Sequence, residues 1–166
     1  MKPLLIALLL VSSLSHAEWQ LESKTSKVAM NWGDKGSFNF TLNQVGGSYL
    51  FKNGIGFSAL AGQSDTQSEQ VATVKLRDFW VMSAFYDVKV TTNISIIPSF
   101  TYTEYKEVVN GEAKPDTGTG YGMAIQYKIN SKYAVKASMN EYYGKKSDWC
   151  GYEDTKGFGL SLVARF

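Results

Sequence analysis

The stretch that decides the fold is the last one, Lys156–Phe166, which reads KGFGLSLVARF. Its alternate residues are apolar, and the residues between them are mostly small or polar. Side chains of a β-strand point to opposite faces in turn, so the pattern predicts a strand with one apolar face. Eleven residues are also enough for a tilted strand to cross a bilayer. The apolar members are Phe158, Leu160, Leu162, Ala164 and Phe166.

The start of the chain indicates export. Met1–Ala17 combines a positive charge near its start, an apolar run at Leu4–Val11 and small residues before Glu18, which is the pattern of a secretory signal peptide. Its removal leaves 166 − 17 = 149 residues, predicted as one domain, Glu18–Phe166. One Lys leaves with the signal, so 16 basic residues face 15 acidic ones, and this balance gives no sign of a nucleic-acid partner.

The whole chain is rich in aromatic residues but has a modest mean hydropathy of −0.19. No apolar run after Val11 approaches the length of a transmembrane helix. A chain that crosses the membrane as strands reconciles these observations, because only alternate side chains contact lipid. A soluble barrel would instead bury the same aromatics in its core.

Period-two alternation recurs along the whole chain and predicts eight antiparallel strands joined as hairpins. The predicted fold is an all-β, up-and-down transmembrane barrel. Its strands are Glu18–Asn31, Phe38–Phe51, Ile55–Ala61, Trp80–Val88, Ile94–Tyr102, Tyr121–Ile129, Tyr133–Met139 and Lys156–Phe166.

The connections alternate between short and long. Short turns are predicted at Lys52–Gly54, Val90–Asn93 and Asn130–Lys132. Transmembrane barrels show this asymmetry, with tight periplasmic turns and longer extracellular loops. The long polar loops are predicted at Gln63–Lys75, Lys106–Gly118 and Gly144–Thr155.

Three local features complicate the pattern. The apolar alternation of the second strand changes phase near Asn43, which predicts a β-bulge there. Pro98 lies inside the fifth strand, where it removes a ladder donor, and a second bulge is expected at that position. Both faces of the fourth strand are fairly apolar, and Asp87 favours the odd-numbered face as the inner one.

Aromatic residues cluster towards both ends of the predicted strands and predict two interfacial girdles. The girdle at the short-turn end contains Phe51, Tyr86, Tyr127, Tyr133 and Phe166. The girdle at the loop end contains Trp80, Tyr102, Tyr121, Tyr143 and Phe158.

With these patterns in place, the chain resembles the OmpX/Ail-type small outer-membrane barrels of Gram-negative bacteria. The resemblance is carried by GTGYGMAIQY, KINSK and YAVKASMNEYY in the last third, by VGGSYLFKNGIGFSALAG earlier, and by the terminal Arg-Phe. The family usually ends in Gly-Tyr-Arg-Phe, whereas this chain has Val163-Ala164-Arg165-Phe166, so a general OmpA-type eight-stranded barrel domain is the alternative.

The resemblance implies location and partners. It implies the outer membrane, contact with its lipid and lipopolysaccharide, and a monomer. It also implies that the barrel-assembly machinery recognises the apolar alternate residues of Lys156–Phe166 as an assembly signal. Loops that bind a host or matrix ligand are implied as well.

Catalysis, cofactors and metal binding are not expected. His16 is the only histidine and lies in the signal peptide, so the mature chain lacks the commonest general base and metal ligand. Cys150 is the only cysteine, which excludes an intramolecular disulfide.

The predicted lumen is polar and partly charged. Its candidate charges are Asp87, Lys128, Lys136 and Arg165. Buried charges need partners, so we expect an ion-pair cluster centred on Asp87 that closes the short-turn end. The alternative is that these groups reach water at the rim and pair with nothing.

Three functions remain open at this point. Long loops on a rigid barrel favour adhesion or ligand interaction at the surface. A structural envelope protein without a specific ligand is equally compatible with the fold. A small-solute channel is disfavoured, because eight strands enclose little more than their own side chains.

Overall fold

The computed structural model describes residues 18–31, 37–68, 73–144 and 155–166, so the predicted signal peptide lies outside the described residues. Within these ranges, no helix has the length and apolarity needed to span a bilayer. The described chain forms eight long strands, in line with the alternation. They are β1 Glu18–Asn31, β2 Ser37–Leu50, β3 Ile55–Ser64, β4 Thr73–Tyr86, β5 Ile94–Val109, β6 Glu112–Lys128, β7 Tyr133–Gly144 and β8 Thr155–Arg165.

The strands close into one antiparallel barrel. Each strand pairs with its neighbours in the chain, and β8 pairs with β1 from Gln20↔Arg165 to Met30↔Thr155. Two short segments, Thr66–Ser68 and Val88–Lys89, extend β3 and β4 beyond single interruptions. The predicted eight-stranded up-and-down barrel is confirmed.

The strands are strongly tilted. A path through directly paired residues, starting at Gln20 and going once around the barrel, returns to β1 at Met30, a displacement of 30 − 20 = 10 residues. On eight strands, this shear corresponds to a tilt of roughly 40°. The path passes through Ser48, Ser58, Ser83, Thr101, Gly120, Tyr142 and Thr155.

The outer surface carries the predicted apolar face and both girdles. Trp80, Tyr121 and Phe158 are about half exposed on the outside at the loop end, as are Tyr86 and Tyr127 at the other end. Trp19 and Tyr49 add to the short-turn girdle, and their ring centroids lie 4.7 Å apart. From Phe79 onwards the odd-numbered residues of β4 point inward, as Asp87 indicated, whereas before the bulge the even-numbered Val74 and Leu76 do.

The bulge predicted near Asn43 is wrong. β2 pairs with β1 and β3 without a register shift, and its even-numbered residues face the interior along the whole strand. The apolar phase changes because Phe38, Phe40 and Leu42 fill the interior, whereas Val45 is exposed on the outer surface.

Bulge positions elsewhere also differ from expectation. The structure places a bulge in β4 between Arg77 and Trp80, where Asp78 has a φ of 50°. No register shift occurs at Pro98. The pairing of β5 with β4 is instead interrupted opposite the proline, beside Asp87. The missing N–H of Pro98 therefore removes no hydrogen bond from that pairing.

The three short turns are confirmed, but two of the predicted long loops are wrong. β3 and β4 continue through most of Gln63–Lys75, and β5 and β6 continue through Lys106–Gly118 to a two-residue turn at Asn110-Gly111. Both turn residues have positive φ, 50° and 92°, which suits Asn-Gly in a tight hairpin. The third predicted loop, Gly144–Thr155, begins and ends at strand termini, and residues 145–154 lie outside the described residues.

Candidate functional site

The barrel interior is the first candidate site, and its lower half, nearer the short turns, is polar. The even-numbered residues of β1 point inward, which places Glu22 among buried groups. Glu22 Oε2 accepts a hydrogen bond in a salt bridge from Lys136 on β7, and Glu22 Oε1 accepts one from Ser161 at 2.7 Å. Ser161 on β8 is directly opposite Lys24 on β1 and Lys136 on β7, so the two lysines flank β8.

A second ion pair lies at the short-turn end. Arg165 donates from Nε to Glu18 Oε1 and from Nη2 to Glu18 Oε2, the latter at 2.7 Å. Glu18 also accepts a hydrogen bond from Gln20 at 2.8 Å. The two-pronged pairing joins the first and last strands where the barrel closes, and such bidentate geometry gives strong and directional pairs.

The predicted cluster centred on Asp87 is wrong. Asp87 is buried at the short-turn end and its backbone N–H donates to Gly54 O, but its Oδ1 has no hydrogen-bond partner within the described residues. Lys128 lies half-buried at the same end. Of the four candidate charges, Lys136 and Arg165 form interior ion pairs, and their partners are Glu22 and Glu18 on β1.

The upper half of the interior, nearer the loop end, contains a cluster of buried apolar side chains that we call the apolar plug. Phe40 is fully buried there, and Phe38 and Met30 are 2% exposed. The phenol of Tyr105 stacks on Phe79 with ring centroids 5.3 Å apart. The plug consists of Val28, Met30, Phe38, Phe40, Leu42, Leu60, Val74, Leu76, Phe79, Val81, Tyr105 and Val109.

Interior space in the described structure is small. A cavity of about 60 Å³ lies in the polar half, with Lys24, Glu22 and Lys136 among its lining residues. A cavity of about 20 Å³ lies within the plug. The larger one holds roughly four waters, which is far from a continuous aqueous channel. The residues described contain no cluster of three or more acidic, histidine or cysteine side chains suited to a metal ion.

The residues assigned to an assembly signal lie on the outside of β8. Phe158, Leu160, Leu162 and Phe166 are each more than half exposed, and Ala164 is half-buried between them. This surface is the one that lipid covers in a transmembrane barrel. Recognition by the assembly machinery stays a prediction.

The second candidate site is the outer ribbon, defined here as residues 73–78 of β4, 104–109 of β5 and 112–117 of β6. It continues the sheet beyond the aromatic girdle at the loop end. Its inner side adds Val74, Leu76 and Val109 to the plug, so its position is fixed by packing. The side chains that alternate with the inward residues on β4 and β5 point outward into solvent.

Three basic residues share the outer face of this ribbon. Arg77 on β4 is directly opposite Lys106 on β5, and Lys75 lies two residues before Arg77 on β4. Lys106 Nζ donates to Asp78 Oδ2 at 2.7 Å, and this bond together with the ammonium charge holds the pKa of Asp78 below its usual value. Both members of that pair are exposed, so it adds little to stability.

Comparison with known proteins gives a match in structure and none in sequence. No family model and no curated protein matches the chain. Ail, the attachment invasion locus protein of Yersinia pestis, solved with the heparin analogue sucrose octasulfate, aligns with a TM-score of 0.67 and 16% identity, over 91% of this chain and 99% of that one.

Two further outer-membrane barrels align similarly. Neisserial surface protein A gives a TM-score of 0.64 and 15% identity, covering 90% of this chain and 95% of that one. The N-terminal barrel domain of Pseudomonas aeruginosa OprF gives 0.62 and 13%, covering 90% and 97%. The fold is therefore that of the small eight-stranded outer-membrane barrels.

Proposed function

We propose that this outer-membrane barrel is a surface interaction protein whose outer ribbon binds an anionic polymer such as a sulfated polysaccharide. The observation that carries the proposal is the direct cross-strand pairing of Arg77 with Lys106. Like charges directly opposite each other destabilise a sheet, and the salt bridge from Lys106 to Asp78 offsets part of this repulsion. With Lys75 beside it, the pair presents positive charge to an approaching anion.

The comparisons support the proposal at the level of analogy. Ail was solved with a sulfated heparin analogue, and it shares the fold of this chain at 16% identity. The apolar belt between the girdles fits lipid and the acyl chains of lipopolysaccharide. Insertion by the barrel-assembly machinery and a monomeric state complete the proposed picture.

Two alternatives are less well supported. The apolar plug and the interior ion pairs argue against a small-solute channel, because they fill the lumen at two levels. We expect no enzymatic activity, since the mature chain lacks histidine. A structural envelope role without a specific ligand is the remaining alternative, and the binding experiment below distinguishes it from the proposed function.

Removal of the ribbon's positive charge tests the proposal. The double variant Arg77→Gln, Lys106→Gln is expected to bind immobilised heparin about tenfold more weakly than the wild type, because each exposed charge contact contributes up to about 1 kcal/mol. Wild-type binding should also weaken as sodium chloride is raised, since salt screens exposed charges. Purified protein in lipid nanodiscs is the material for both measurements.

The matched control is Lys27→Gln, Lys156→Gln, which removes two exposed outward lysines from β1 and β8, away from the ribbon. The control should bind like the wild type. Equal binding by the ribbon variant and the wild type would remove the ribbon from the account. No binding by the wild type would favour the structural role.

A further inference from the structure

The middle of the lumen has an unbalanced charge. Lys24 is 8% exposed and belongs to the polar half of the interior. The nearby carboxylate, Glu22, already accepts hydrogen bonds from Lys136 and Ser161, one on each oxygen. Glu22 therefore acts on Lys24 only as a charge at longer range. The buried Lys24 and the partly buried Lys136 share one carboxylate, so this level of the interior carries more ammonium than carboxylate groups.

Two buried hydroxyl groups beside Lys24 have no partner. Ser26 is 4% exposed and Ser138 is 6% exposed, and the Oγ of each lacks a hydrogen-bond partner within the described residues. Both are directly opposite Gly159, one on each neighbouring strand. A row of serine, glycine and serine thus crosses β1, β8 and β7 inside the barrel.

The absence of a side chain at Gly159 lets all three groups pack against its backbone. A Cβ placed on this glycine would lie 2.6 Å from Lys24 Cε, 2.6 Å from Ser26 Oγ and 3.1 Å from Ser138 Oγ. These atoms fill the space beside the glycine, and Lys24 and Ser138 also line the 60 Å³ cavity. Thr101, whose buried Oγ1 likewise has no partner within the described chain, lines the same cavity.

We propose that this cavity binds a small inorganic anion, chloride under ordinary conditions, held by the Lys24 ammonium and the hydroxyls of Thr101 and Ser138. An ammonium and hydroxyl groups can all donate hydrogen bonds, which suits a halide. A bound halide would neutralise the excess charge, which water cannot do, and an uncompensated buried charge is costly. The anion would thereby stabilise the filled, closed lumen.

Bromide is the probe, because it replaces chloride and can be located by anomalous scattering. The mature protein is refolded in detergent with sodium bromide and crystallised. The expected result is an anomalous peak within about 3.5 Å of Lys24 Nζ and of Ser138 Oγ or Thr101 Oγ1, the range of ordinary polar contacts. A map with no peak in the lumen would overturn the proposal.

A solution measurement gives a second, independent test. Urea unfolding is compared in sodium chloride and sodium gluconate at equal ionic strength, since gluconate is too large for the cavity. The wild type should unfold at higher urea in chloride, because a ligand that binds only the folded state stabilises it. Equal midpoints in the two salts would contradict an anion site.

Matched variants on one strand locate the effect. Lys24→Met should abolish the difference between the salts, whereas Lys27→Met, which removes an outward lysine from the same strand, should keep it. Ser138→Ala should reduce the difference. A chloride effect that survives in Lys24→Met would place the anion elsewhere and refute the assignment.

Discussion

Replacing Glu22 with alanine is expected to lower the free energy of unfolding by about 3–5 kcal/mol, since the substitution leaves buried positive charge without its partner. Glu22 is 3% exposed, and it holds both Lys136 and Ser161. Lys24 would also lose its nearest negative charge. Urea unfolding of the protein in lipid vesicles, followed by tryptophan fluorescence, measures the change.

Two comparisons separate charge burial from simple loss of a contact. Lys106→Ala breaks an exposed ion pair and should stay within about 1 kcal/mol of the wild type. The double variant Glu22→Leu, Lys136→Met removes both charges and should recover much of the loss, because apolar replacements of a buried pair are often tolerated. A Glu22→Ala variant as stable as the wild type would show that the interior is hydrated enough to screen these charges.

Replacing Phe40 with alanine is expected to cost about 3–5 kcal/mol, the range for removing a buried aromatic side chain from a packed core. Phe40 is 0% exposed and belongs to the apolar plug, where it lies against Phe38 with ring centroids 6.3 Å apart. The same vesicle unfolding measurement applies. The expected loss arises from the cavity left in the upper lumen.

Asn39→Ala is the matched control for this prediction. Asn39 is the neighbouring residue on β2 but points outward and is exposed. We expect its substitution to change stability by less than about 0.5 kcal/mol, as for surface positions in general. A Phe40→Ala variant that behaves like this control would mean that the plug does not contribute to folding.

Alternation predicted the architecture because it depends only on sequence-local geometry. The apolar residues of Lys156–Phe166 do face outward, and the short turns and girdles lie where the pattern placed them. Alternation does not reveal which side of the barrel an apolar face covers. The change of phase at Asn43 predicted a bulge, whereas Phe38, Phe40 and Leu42 face the interior and Val45 faces outward on one continuous strand.

The loop predictions failed for a related reason. Beyond the membrane, the outward face of a strand contacts water, so polar strands such as residues 104–109 have the composition of loops. One signal was present in the sequence: Asn110-Gly111 is a strong hairpin turn and predicts two strands that continue to meet it. The polar residues on both sides of this turn favoured the interpretation as a loop instead.

The ion pairs could not be predicted from strand faces alone. The shear of the barrel determines which residues meet across it, and Lys136 reaches Glu22 over the intervening β8. The inward face of β1 carries Glu18, Glu22 and Lys24, but weak alternation left its sidedness unassigned. The predicted cluster was therefore centred on Asp87, the carboxylate for which the sequence indicated an inward position.

Single-channel recording in planar bilayers tests the central claim, a closed barrel whose lumen is filled by the polar ion pairs below and the apolar plug above. The account predicts that purified, refolded protein inserts without producing stable conductance steps, because ion pairs and the apolar plug fill the described interior and the cavities found between them are of about 60 and 20 Å³. Reproducible steps of porin size from the wild-type protein would contradict a filled lumen and support solute transport instead.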